Sequence, residues 1–191
     1  MKNQTTGHAK DFKKLGTLLK LEDKRNRLLF GCGLFMGLRG SELCSLKWKD
    51  LVGRTGTVDV FQPKTGKTRE VALADALVPI ISECYEGQPL DSYVFTGRRG
   101  QDGSKKLTVC GLNRIIRKEF EANGVEFTAG NSSHCIRKSF SRNYYESNGR
   151  SHEALLWLQK ELGHSSIDIT LRYIPIDREE MARRVNNISY E

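Results

Sequence analysis

The sequence predicts a mostly α-helical domain with one small antiparallel β-sheet, an α+β class. Three observations carry this. Apolar residues recur at helical spacing over most of the chain, as in Leu28, Leu29, Cys32 and Phe35. The period changes to two only in "GTVDVFQPKTGKTREVAL", residues 56–73. The 191 residues, 38% apolar and 28% charged, suffice for one domain with a sizeable core. No apolar run approaches the ~18 residues that a membrane span needs.

Residues 1–11 read as a loose polar leader without a signal-peptide pattern, so the protein is expected to stay where it is made, in the cytoplasm. Residues 12–177 form the expected domain and residues 178–191 a charged tail helix. A first helix is predicted from about Asp11 to Met36. Ser41 then caps a second, with Leu43, Leu46 and Leu51 on its apolar face. In the hairpin Val58 and Val60 alternate, then Arg69, Val71 and Leu73. A turn at residues 64–67 separates them, where Gly66 is free to take positive φ. Residues 74–86 read as a helix burying Leu77, Ile80 and Ile81. A long glycine-rich basic loop, "FTGRRGQDGSKKLT", follows. Thr108 caps a helix reaching about Asn123, with Leu112, Ile115, Ile116 and Phe120 inside. Another helix starts near Ser133 and ends by Gly149. Ser151 caps the next, with core residues Leu155, Leu158 and Leu162, and Gly163 stops it. A short helix is expected to carry Tyr173.

The net charge is +8, which suggests an anionic partner such as nucleic acid. The five cysteines have neither metal-ligand nor CxxC spacing, and read as reduced, buried thiols.

Several residues have two readings each. His134 and Arg137 are three apart and share a helix face, either a solvated pair or a pair aimed at an anion. Arg39 lies between two helices, where it can make a salt bridge with Glu42 or fork a phosphate. Lys64 sits at a hairpin tip, exposed or able to carry a proton into a cleft. His164 follows a helix-stopping glycine, as a cap or as a donor to a substrate.

Together, in order, these residues resemble the catalytic domain of the tyrosine recombinases, the phage integrase, Xer and Cre group. The chain reads "GLRGSEL" with Arg39 and Glu42, "PKTGK" with Lys64, "HCIR" with His134 and Arg137, and "LGHSSIDITLRY" with His164 and Tyr173. The resemblance runs from about residue 12 to residue 185. It departs from the family at Lys138, where many members have histidine, and at Ile136, where leucine is usual. Only some thirty-eight residues precede Arg39, too few for the usual helical clamp domain. The chain is thus expected to be an excised catalytic domain or a naturally short member.

The resemblance implies the recombinase catalytic-domain fold and site-specific cleavage and rejoining of double-stranded DNA, needing no metal, ATP or other cofactor. It implies Tyr173 as nucleophile, Arg39, Arg137 and His164 on the phosphate, His134 and Lys64 handling protons, and Glu42 in support. It also implies a homotetramer on DNA, a monomer when free, accessory DNA-bending proteins, no membrane, and a place at the nucleoid. Arg98, Arg99, Lys105, Lys106, Arg114, Arg117 and Lys118 are the candidate DNA-binding cations. A type IB topoisomerase and an inactive DNA-binding accessory protein remain the alternatives.

Overall fold

The computed structural model describes residues 7–97, 102–174 and 186. Its element order begins with α1 (Phe12–Leu15), a 3-10 turn (Gly16–Lys20) and α2 (Lys24–Met36). The single helix expected over this stretch is therefore broken. Leu21 is extended, and the Asp23 carboxylate accepts from the Asn26 N–H, so α2 starts from its own cap. Residues 7–10 are not loose either. Ala9 is 1% exposed and bridges Phe127, and its N–H donates to Ser139 Oγ at 2.9 Å.

The expected second helix is two short ones, α3 (Gly40–Leu43) and α4 (Trp48–Leu51). Arg39, not Ser41, is the N-cap of α3, because the Glu42 carboxylate folds back onto the Arg39 N–H at 2.8 Å. Leu43, Leu46 and Leu51 are nonetheless all buried.

Strands β1 (Gly56–Gln62) and β2 (Lys67–Leu73) pair antiparallel, with Val58 opposite Val71 and Val60 opposite Arg69. That register puts Val58, Val60, Val71 and Leu73 on the core face. The turn spans Pro63 to Gly66, and Gly66 has φ +67°. A 3-10 turn (Asp75–Leu77) leads into α5 (Val78–Cys84). Then come α6 (Val109–Ala122), capped by Thr108, and α7 (Ser133–Ser147). Last are α8 (His152–Leu162), capped by Ser151, and α9 (Ile167–Leu171). Tyr173 lies just past α9, in the turn that ends it, rather than on the helix. The tail expected over residues 178–191 lies outside the described residues, Asn186 apart.

Helix α2 is the axis of the main core, with Leu28, Leu29, Phe30, Cys32 and Met36 at most 1% exposed. It ends at Gly37, whose φ of +57° and close approach to the Phe140 ring leave no room for a side chain. A second cluster joins α7 to α8, with Phe140, Leu158, Leu162 and Ile174 buried together. Both clusters meet along α7. As a result Ser133 and every residue from Cys135 to Ser141 are buried, including Arg137 at 0% exposure. Of the two readings of the His134–Arg137 pair, the solvated one therefore fails at Arg137. Of the cysteines, Cys32, Cys44 and Cys135 are buried as expected, whereas Cys84 is half-buried and Cys110 exposed; all five are free thiols.

Candidate active site

Five distant chain segments line one cleft of about 780 Å³, four of them carrying the expected site residues. Arg39 comes from the α2–α3 junction, Lys64 from the hairpin turn, His134 from the start of α7, and His164 and Tyr173 from the α8–α9 region. Arg137 does not line the cleft but lies beneath it, one turn along α7 from His134.

Glu42 is the hub of the arrangement. Its side chain is 1% exposed. Its carboxylate meets Arg39 Nη1 at 2.7 Å, Arg69 Nη2 at 3.2 Å and Arg137 Nη1 at 3.8 Å. Burial alone would push the Glu42 pKa up. The charge of Arg69, the Arg39 N–H and the charge of Arg137 outweigh it and hold the carboxyl below the usual carboxylate range. One buried anion thus gathers three guanidinium groups that would otherwise repel one another. The Gln62 amide adds to this when turned so that its oxygen accepts from Arg39 Nη1 at 3.1 Å and Arg69 Nε at 3.2 Å.

Arg39 and Arg137 are further fixed by the end of α8. Its last carbonyls have no partner within the helix. Leu162 O accepts from Arg137 Nη2 at 2.6 Å and from Arg39 Nη2 at 3.1 Å. Arg137 Nη1 also donates to Gly37 O at 2.6 Å. Gly163, at φ +61°, turns the chain out of α8 so that those carbonyls face the arginines. Burial, then the nearby Arg39, pushes the Arg137 pKa down to about 10, which leaves it charged at neutral pH.

His164 stands directly on this base. Its Nδ1 lies 3.0 Å from Thr170 Oγ1 and its Nε2 3.3 Å from Arg137 Nη2. Burial, then Arg137 and Arg39, pushes its pKa down to about 4. A neutral Nε2 beside an arginine N–H is an acceptor, so the Thr170 side holds the ring proton. The sign of the resulting pH dependence follows. The unfolded histidine takes up its proton near pH 6.5, whereas the folded one resists until about 4. Stability is therefore expected to fall as pH drops from about 6.5 toward 4, by on the order of 1–2 kcal/mol after solvent screening. Denaturant titrations of the chain and of His164→Gln should show this slope in the first and a flatter one in the second.

The Tyr173 ring centroid lies 4.8 Å from that of His164, and Arg137 Cζ lies 5.6 Å from it. At the rim, His134 has its pKa lowered by desolvation and by the charges of Arg137, Lys138 and Arg39. A neutral imidazole there can accept a proton. Lys64 is exposed on the hairpin turn and lines the same cleft as Tyr173.

Of the candidate DNA-binding cations, Arg98 and Arg99 lie outside the described residues. Lys105, Lys106, Arg114, Arg117 and Lys118 are exposed, and none lines the cleft. Lys106 is tied to Ser45 Oγ at 2.9 Å. On α6, Val109 and Asn113 do line the cleft, and Arg117 continues their row one turn further. Sequence reasoning missed Arg69, Gln62 and Thr170. Arg69 was the legible one, being a charged residue at an inward strand position between Val71 and the turn.

The description "Phage integrase family" fits a family model that matches residues 8–180. The chain is 31% identical over 161 residues to the tyrosine recombinase XerC of Xanthomonas axonopodis pv. citri (strain 306), covering 83% of this chain and 49% of that protein. It therefore spans about half the length of that relative. It is 30% identical over 158 residues to the probable integrase/recombinase YoeC of Bacillus subtilis (strain 168), covering 83% of this chain and 81% of YoeC. Among solved structures, the XerA recombinase aligns with a TM-score of 0.71 at 21% identity, over 93% of this chain and 63% of that one. A lambda integrase dimer bound to a COC′ core site aligns with a TM-score of 0.65 at 22% identity, over 98% and 51%. At such identities the structural likeness speaks for the fold, and it is the same helical domain with a small sheet. The family match runs through all the segments that meet at the cleft, and the chain belongs to the phage integrase family.

Proposed function

We propose that this chain cuts and rejoins double-stranded DNA at specific sites through a covalent 3′-phosphotyrosine on Tyr173, in the integration or excision of a mobile element. The observation that carries this reading is the Tyr173 ring set against His164 and Arg137 at the floor of a cleft that Arg39, Lys64 and His134 complete. A phosphodiester is an anion that repels nucleophiles, and attack places more negative charge on its oxygens. Forked cations suit that charge, and each such donor is worth on the order of 10²–10³ in rate.

The step balances without an outside reactant. The Tyr173 hydroxyl proton passes to His134, and the oxygen bonds to phosphorus. The P–O bond to the 5′-oxygen breaks, and Lys64 supplies that oxygen's proton. An incoming 5′-hydroxyl reverses the step and reseals the strand. Arg137 enters this scheme from below the cleft: phosphate binding exchanges part of its carbonyl contacts for phosphate oxygens. The exposed row on α6 suits backbone phosphates, which fix position rather than read sequence. Assembly as a tetramer on DNA from free monomers, with DNA-bending accessory proteins and at the nucleoid, belongs to the same reading.

The test is a pool of duplexes nicked near the cut site, so that the severed end diffuses away and traps the intermediate. A detergent-stable protein–DNA species linked through Tyr173, mapped by peptide mass, is expected. No such species from any duplex in the pool overturns the reading. Relaxation of supercoiled DNA that lacks a preferred site would instead mark a topoisomerase.

A further inference from the structure

The scheme above leaves one buried charge on α7 without a role. Lys138 is 8% exposed, follows Arg137 directly and lies one turn after His134. Its Nζ stands 5.8 Å from the centroid of the Tyr173 ring, while Arg137 Cζ stands at 5.6 Å. Two consecutive cations therefore address one phenol ring, with His164 against it as well. Burying an ammonium is costly, and here burial lowers the Lys138 pKa, partly offset by Cys135. A position needed only for packing would be filled at less cost by an apolar side chain.

A cation over a neutral ring is held by the ring's quadrupole alone. Once the hydroxyl has lost its proton the ring carries a full negative charge, and the attraction becomes one between ions. The interaction is thus stronger after proton loss than before it, the condition under which a contact speeds a reaction. We propose that Lys138 is a positioning residue for Tyr173, holding its ring over the cleft floor and favouring its anionic form as the nucleophile. This rests on the reading of Tyr173 as nucleophile. The other charged or titratable groups that face that ring or share its cleft are His134 and Arg137 on α7, His164 before α9, and Lys64 and Arg39.

Two measurements test it, with Lys138→Met removing the charge at similar length and Lys138→Arg keeping it. The first needs no DNA. Tyrosinate absorbance against pH, taken as the difference from a Tyr173→Phe partner of each variant, isolates Tyr173. The Tyr173 signal is expected to rise at lower pH in the arginine variant than in the methionine variant, and coinciding curves overturn the proposal. The second is the rate of adduct formation at saturating nicked DNA. Lys138→Met should lose roughly tenfold to a hundredfold with unchanged DNA affinity, the deficit should shrink as pH rises, and Lys138→Arg should recover most of the rate. A loss equal at all pH values, or one that follows DNA affinity, overturns it. If the unaltered chain forms no adduct, the nucleophile reading fails on its own, and the absorbance curves still decide the part played by Lys138.

Discussion

Tyr173→Phe is expected to form no DNA-linked species on any substrate that traps the unaltered chain. Only the hydroxyl is lost, and with it the oxygen proposed to bond to phosphorus. The ring contacts with His164 and Arg137 need no hydroxyl and should persist. Thermal stability should therefore stay within about 0.5 kcal/mol of the original, and DNA affinity should be retained. The comparison separates chemistry from binding. Loss of adduct with intact binding assigns the nucleophile, whereas an adduct in the phenylalanine chain moves the chemistry to another residue.

Glu42→Gln should have the largest effect on stability. The substitution keeps the shape and removes the charge that faces Arg39, Arg69 and Arg137. Three guanidinium groups are then left around one buried neutral amide. Removing one partner of a buried ionic cluster costs about 3–5 kcal/mol. For a chain of this size that is a fall in Tm on the order of 10 °C. The pH dependence gives a second signature. The Glu42 carboxyl is held below its ordinary value when folded, so its contribution is present above about pH 4.3 and lost as pH falls through the folded value. The glutamine variant should lack that part of the acid slope. Because Glu42 also holds Arg39 in the cleft and Arg137 beneath it, adduct formation at saturating DNA should drop by roughly 10²-fold even where the variant is fully folded. Scanning calorimetry at neutral and acid pH, followed by single-turnover cleavage below the transition, checks both.

The same residues show how far a sequence can be read without a structure. The hairpin with its alternating faces, the caps at Thr108 and Ser151 and the stop at Gly163 all came out as expected, because each depends on neighbours within a few residues. The breaks were harder. The stretch from Asp11 to Met36 has one continuous helical period, yet the capping bond of Asp23 and the burial of Leu18 and Leu28 favour a bend that no local pattern announces. At Ser41 a good capping residue lost to Arg39, because the Glu42 side chain bonds back to the Arg39 N–H and the arginine is held from across the fold by Leu162 O.

By itself, the sequence determined the class of fold, the local elements around each motif, and the six residues that resemblance singles out. Only the tertiary structure decided that Arg137 is wholly buried, that Glu42 unites three arginines, and that Lys138 and His164 reach the Tyr173 ring. The physical reason is range. Helical periods, caps and turns are set by bonds between near neighbours. The Arg39–Leu162 and Arg69–Glu42 contacts join residues far apart in the chain, and they exist only once the hairpin, α7 and the end of α8 have packed around one buried charge.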